Sequence, residues 1–111
     1  MERSFTVAEA RDLLPEVQRR VDELAQLRRA VVESHDGPTA ERKAAEARLS
    51  EAVEWFVVNG VQLKSIAPVV LDFPSEIDGE PALLCWLEGE SELGWYHTPE
   101  HGFMGRKPLT V

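Results

Sequence analysis

The stretch Asp72–Arg106, DFPSEIDGEPALLCWLEGESELGWYHTPEHGFMGR, decides how this chain is read. Strand-forming runs alternate in it with short glycine-bearing breaks. Trp, His, Cys, acidic residues and an arginine are gathered among them. The run Val69–Phe73 ends at Pro74, which is expected to stop it, and Asp78-Gly79 is a turn signal. Pro81–Glu88 forms a second run and Leu93–His97 a third, separated by Gly89-Glu90-Ser91. Three short strands with brief links predict an antiparallel β-meander.

The hairpin register decides which side chains share a face. A three-residue loop, Gly89–Ser91, sets Cys85 opposite Trp95 and Trp86 opposite Gly94, which leaves space for the indole ring. Leu83, Cys85, Leu87, Leu93, Trp95 and His97 then share one face, expected to pack on the helices. Leu84, Trp86, Glu88, Glu92 and Tyr96 take the other. A two-residue loop shifts these partners.

Two amphipathic helices precede the sheet. Thr6-Val7-Ala8-Glu9 reads as a capping box, with Phe5 placed as a hydrophobic staple. Leu14, Val17, Val21, Leu24, Leu27 (or Arg28) and Val31 recur at helical spacing, and Pro15 inside this run predicts a kink near Arg11–Leu14. Ser34–Pro38 is turn chemistry, and Thr39 is expected to cap a second helix with a seam of Ala45, Leu49, Ala52 with Val53, and Phe56. Asn59-Gly60 ends it. The short link makes residues 5–60 an antiparallel hairpin, and residues 61–111 a β-meander with a C-terminal loop, within one domain of 1–111. The predicted class is α+β: a two-helix hairpin packed on a three-stranded meander. The helices are long for so small a sheet. Trp55, Val57 and Val58 add apolar surface beyond the seam, so a homodimer through the hairpin is expected.

The net charge is −8. After Gly60 only Lys64, Arg106 and Lys107 stand against eight acids. Such a surface repels phosphate backbones and anionic lipid, so neither nucleic acid nor membrane is an expected partner. There is no apolar run of membrane-spanning length, and MERSFTVAEA has no apolar leader core. A lone cysteine, Cys85, suits a reducing compartment, and the cytoplasm is the expected location.

Three chemistries compete in the C-terminal half. Two His, His97 and His101, with carboxylates nearby could hold a divalent metal, though Pro99 and Gly102 break the helix that His-x-x-x-His spacing needs. The pattern favours a solvated His101 and a hydrogen-bonded His97 over that site. Acid–base work is open to His97 with a carboxylate such as Glu90 or Glu92 to orient it, against a merely structural His–Glu contact. Arg106 closes the tight run Gly102–Arg106. It reads as an ion pair to Glu90 or Glu92, or as a clamp on a carboxylate or phosphate ligand, with Trp86, Trp95, Tyr96 and Phe103 as candidate walls, though aromatic residues in so small a sheet are more often core. Cys85, mid-strand between apolar neighbours, reads as a structural thiol.

Several strings carry a resemblance. They are Phe5–Ala10 with Leu13-Leu14-Pro15, Gly60–Lys64, Val70–Pro74 with Asp78-Gly79, Leu84–Glu90, Trp95–His97 and Gly102–Arg106. Together they resemble the bacterial family called domain of unknown function 2203, along nearly the whole chain. The resemblance implies no particular reaction or cofactor. It carries over Asp72, Cys85, Trp86, Glu90, His97 and Arg106 as family positions. Tyr96 stands where a second Trp is common and Thr98 where Asp is common, and a missing ligand or base at 98 counts against a metal.

The leading expectation is a polar ligand or catalytic pocket. Asp72, Glu90 and His97 supply its chemistry; Arg106, Trp86 and Trp95 bind the ligand. The alternatives are a helical assembly module without catalysis and a metal-binding enzyme.

Overall fold

The computed structural model describes residues 3–110. Helix α1 spans Val7–Glu33 and α2 spans Thr39–Val58. The strands are β1 Gln62–Ile66, β2 Val69–Ile77, β3 Glu80–Leu87, β4 Trp95–His97 and β5 Lys107–Pro108, with a single 3-10 turn at Phe103–Gly105. They form one antiparallel sheet in the order β1-β2-β3-β4-β5. The α+β class holds, but the meander has five strands and not three.

The two extra strands lie at the edges, where the apolar pattern is weakest. The edge strand β1 reads QLKSI, and β5 has two residues held by pairing to Trp95 and Tyr96. Pro74 does not end β2, which continues to Ile77. The Pro74 carbonyl accepts from the Phe5 amide at 2.7 Å, on the side that β1 has already vacated. A residue's N and O point to the same side of a strand, so the missing N–H removes no ladder bond to β3.

The capping box is present: Glu9 N donates to Thr6 Oγ1 at 3.0 Å, and Thr6 N donates to Glu9 Oε1 at 2.8 Å. α1 runs unbroken through Pro15. Thr39 is not the cap of α2 but its first helical residue; Pro38 precedes it, and no side chain caps this end. Gly60 takes φ +77° just after α2, as a helix stop requires. The end of α2 returns to the start of α1, for the Arg3 guanidinium donates to Asn59 O at 3.3 Å and Arg20 lies 4.9 Å over the Trp55 ring. The β2–β3 turn is Asp78-Gly79, with φ of 53° and 80°, the two positive values of a primed hairpin turn.

The core joins Phe5, Leu14, Val17, Val21, Leu24 and Phe56 to Val69, Leu71, Phe73, Leu84, Trp86 and Leu93. Phe5 meets Phe73 edge-on at 5.3 Å, a geometry worth about 0.5–1.5 kcal/mol beyond area burial. The expected β3–β4 register is observed, with Leu83↔His97 and Cys85↔Trp95. The faces are the reverse of those expected. Leu71 pairs with Trp86 and Phe73 with Leu84, and these side chains face the helices. The phase of β2 decides this, because Val69, Leu71 and Phe73 are its apolar set and Asp72 falls between them. Leu93 lies just before β4 and joins the core despite the alternation. Gly94 does not make room for Trp86, since a Cβ there would meet nothing within 4 Å.

The molecule measures 53 × 27 × 25 Å. Buried positions stop at Leu24 in α1 and start at Ala45 in α2, so the distal hairpin projects beyond the core. Among the described residues, no helix is long and apolar enough to cross a membrane.

Candidate functional site

The sheet face turned away from the helices carries the polar cluster. Asp72 on β2 stands directly opposite Cys85 on β3, and Cys85 stands opposite Trp95 on β4. One row along, Pro74, Leu83 and His97 align in the same way. His97 therefore reaches diagonally across β3 toward Asp72. One ligand-capable atom each from Asp72, Cys85 and His97 lies within 4.8 Å of the other two. All three residues are buried, Asp72 at 1% exposure and His97 at 4%.

The hydrogen bonds fix the protons. His97 Nδ1 lies 2.9 Å from the Thr98 carbonyl oxygen, which can only accept, so Nδ1 carries a hydrogen. The other nitrogen, Nε2, lies 3.1 Å from Asp72 Oδ1. In the neutral ring Nε2 bears a lone pair, and it would then face a carboxylate oxygen, acceptor against acceptor. A cation must sit between them, either a proton or a metal ion. Asp72 Oδ2 is buried with no hydrogen-bond partner. An unsatisfied buried carboxylate oxygen costs more than the ~1–3 kcal/mol of a neutral group.

Burial pushes the Cys85 thiol up to about 12; the Asp72 carboxylate adds to the rise and Arg106 opposes it. The free thiol is therefore inert as a nucleophile at neutral pH, as its sequence context suggested. A bound soft or borderline cation would reverse that, because a coordinating thiol is deprotonated outright.

Arg106 closes the cluster from the C-terminal strap, residues 98–106. Its Nη2 donates to the Cys85 carbonyl at 3.2 Å and to Glu90 Oε1 at 2.7 Å. Its guanidinium lies 5.0 Å over the Trp95 ring and 4.8 Å over the Phe103 ring. Burial works against the Arg106 charge, but the Glu90 carboxylate and Cys85 together outweigh it and hold the guanidinium above its ordinary value. Arg106 Nε is buried without a partner.

Three expected site residues make contacts other than those expected. Glu90 contacts Arg106 and the Leu87 amide, at 2.7 Å each, and not His97, whose carboxylate partner is Asp72. It closes the β3–β4 loop. Trp86 faces the helices, 3% exposed, with its indole N–H donating to Glu90 O at 3.0 Å, so it cannot wall a pocket on the opposite face. His101 is exposed, its Nδ1 paired with the Thr98 hydroxyl at 2.6 Å, and it stands outside the Asp72–Cys85–His97 group. Its loop backbone, not a helix, carries the spacing from His97, so the two rings do not converge.

Two features depend on contacts between distant segments. The hairpin register alone puts Cys85 on one face with His97; the β2 register brings Asp72 to both. The Arg28 guanidinium on α1 grips Glu88 in two bonds of 2.9 and 3.0 Å and donates to Ile66 O at 2.7 Å. Glu88 Oε1 also accepts from the Val69 amide at 2.9 Å. The Arg28 bond, then the Val69 amide, draw the Glu88 carboxyl below its usual range. This clamp ties α1 to the β1–β2 turn.

Beside the cluster, a cavity of about 330 Å³ opens on the outer face, reaching Asp72 and His97 and walled by Lys64, Val70, Leu83, Pro99 and Phe103. The family profile described as "Uncharacterized conserved protein (DUF2203)" matches residues 3–109, and the chain belongs to that family. No curated protein and no solved structure matches it.

Proposed function

We propose that this member of the DUF2203 family is a divalent-cation-binding protein whose protein ligands are Asp72, Cys85 and His97. One observation carries the reading: His97 Nε2 and Asp72 Oδ1 face each other at 3.1 Å while Nδ1 is committed to the Thr98 carbonyl. That arrangement calls for a proton or a metal ion, and the metal is favoured by the Cys85 sulfur lying within 4.8 Å of both partners and by an Asp72 oxygen left without a hydrogen bond. A His that coordinates through one nitrogen commonly donates its other N–H to a backbone carbonyl, which fixes ring and tautomer.

The donor set suits Zn²⁺ or a similar borderline ion: one imidazole, one thiolate and one carboxylate. Bonds of about 2.0–2.3 Å in a tetrahedral site set ligand atoms roughly 3.3–3.8 Å apart. The cluster, within 4.8 Å, needs to close by about an ångström. Three protein ligands leave a fourth position open, the pattern of sites that bind or activate a small molecule. The missing Asp at 98 does not count against this reading, because the Thr98 carbonyl already orients the ring.

The test is elemental analysis of untagged protein purified without chelator, with Co²⁺ titration of the stripped chain. One ion per chain, with a thiolate-to-cobalt charge-transfer band lost in Cys85→Ser, supports the site. Binding well below stoichiometry, or unaffected by Cys85→Ser and His97→Gln together, overturns it. An acid–base pair, Asp72 with His97 sharing a proton, is then the remaining chemistry.

Self-association through the hairpin is a second, compatible reading. The distal hairpin supports it: Leu27 and Val31 are only half-buried and Val32 is 73% exposed, beyond the last fully buried helix positions. Light scattering tests it, and a monomer at high micromolar concentration removes it.

A further inference from the structure

We propose that the cavity beside the cluster receives a small carboxylate with a short apolar tail, its head bridging the cation's open position and the Lys64 ammonium. The inference rests on the metal-site reading above and adds the ligand class.

Position comes first. Lys64 is the extra residue of a bulge in β1: Leu63 pairs with Leu71 and Ser65 with Val70, leaving Lys64 between them without a partner. A bulge re-aims a side chain. Leu63 and Ile66, partly buried, both pack against the core while Lys64 borders the cavity that reaches Asp72 and His97. A strand of unbroken alternation would set Leu63 and Ile66 on opposite faces. The irregularity thus keeps two apolar residues inward and a cation outward.

Charge comes next. After Gly60 the cations are Lys64, Arg106 and Lys107. Arg106 is committed to Glu90. Lys107 is on β5, and Lys64 is the one that lines this cavity. Among the described residues no carboxylate forms an ion pair with Lys64. A divalent cation held by one carboxylate, one thiolate and a neutral imidazole is electrically balanced. Lys64 then leaves a single positive charge at the mouth, which a monoanion neutralises.

The walls select the remainder of the ligand. Val70, Leu83, Pro99 and Phe103 present hydrocarbon, which suits an alkyl tail and not a fully hydrated oxyanion such as phosphate. The volume, about 330 Å³, stands at the small end of the ~300–1,000 Å³ usual for ligand cavities. The ligand is therefore a short-chain acid, not a nucleotide or a peptide.

The experiment uses the Co²⁺-loaded full chain and follows the visible cobalt bands during titration with butyrate, acetate and inorganic phosphate. The expected result is a saturable change with butyrate, tighter than acetate and than phosphate. Lys64→Ala should weaken butyrate about tenfold while leaving cobalt affinity unchanged, since a lost charged contact of ~1.4 kcal/mol is a factor of ten. Leu83→Asn should remove the preference for butyrate over acetate. Stoichiometric cobalt with no response to any anion overturns this inference and spares the metal site. Phosphate binding as tightly as butyrate overturns the ligand class. A chain that takes up no cobalt overturns both readings together.

Discussion

Nε2 of His97 and Oδ1 of Asp72 stand 3.1 Å apart in a buried pocket, with the opposite ring nitrogen already donating to the Thr98 carbonyl. The contact is attractive only with a cation between the two atoms. Asp72→Asn separates the structural demand from the chemical one. An asparagine amide can donate to Nε2 with no cation, so the variant should melt at or above the wild-type temperature in chelator. It should also lose at least ~100-fold in ion affinity, because an amide oxygen is a poor substitute for a carboxylate and the charge balance is broken. Paired thermal melts, in chelator and with added Zn²⁺, read both effects. A variant several degrees less stable in chelator that still binds the ion would contradict the assignment.

The Arg28–Glu88 clamp predicts an acid-sensitive link between α1 and the β1–β2 turn. The Glu88 pKa is lowered in the folded state from 4.5, so the unfolded chain binds more protons in the window just below that value. Stability from this group is then complete above about 4.5 and is lost as the pH falls through the folded pKa. Glu88→Gln should flatten the stability profile in that window and leave its slope near neutrality unchanged. Both side chains are a little over a quarter exposed, so solvent screens the pair. Arg28→Met should cost about 2 kcal/mol, chiefly through the lost Ile66 and Glu88 bonds. Urea titrations between pH 3 and 7 provide the measurement.

Much of this architecture is legible before any coordinates. The capping box at Thr6–Glu9, the Asn59-Gly60 stop, the Asp78-Gly79 turn and the Cys85↔Trp95 register are all local or nearest-neighbour signals, and they hold. What escaped is set by contacts between distant segments. The helix-facing side of the sheet depends on the phase of β2, and β5 exists only because Trp95 and Tyr96 offer it an edge. The polar cluster is legible in part: Asp72 and His97 stand out by residue type, yet their meeting requires three strands in register. Glu90 and Trp86 carry polar groups that suggested a pocket, but those groups close a loop. Side-chain chemistry names candidates; the pairing of β2 with β3 selects among them.

Gly60 offers a test of the chain entry. It holds φ +77°, and a Cβ there would come within 2.7 Å of Arg3 Cβ. Gly60→Ala therefore meets both backbone strain and a close contact where the N-terminal segment crosses the end of α2. The expected cost is about 1–3 kcal/mol. Gly94→Ala is the control, since nothing lies within 4 Å of its added Cβ and its φ is not in the left-handed region. Thermal unfolding of the two variants should separate them by several degrees. Equal loss in both would mean that the Arg3–Gly60 crossing is not kept in solution.

Arg106 and Glu90 hold the strap over the cluster, and their coupling is measurable. The Arg106 Nη2 bonds to Glu90 and to the Cys85 carbonyl converge from one guanidinium stacked over Trp95 and Phe103. Side-chain exposures of 14% and 22% limit solvent screening, so removing either partner leaves the other charge half-buried and uncompensated. Arg106→Ala should cost about 2–4 kcal/mol and Glu90→Gln less, with a double-mutant coupling of about 1–2 kcal/mol. Trp95 gives an independent signal, because losing the guanidinium over its ring should change its fluorescence and open it to quenchers. The strap also covers the cavity through Pro99 and Phe103, so Arg106→Ala should speed dissociation of a bound cation without removing any of its ligands. Metal off-rates by chelator competition would show this. An unchanged off-rate alongside full coupling would make Arg106 a fastening for the C-terminus alone and detach it from the chemistry beneath.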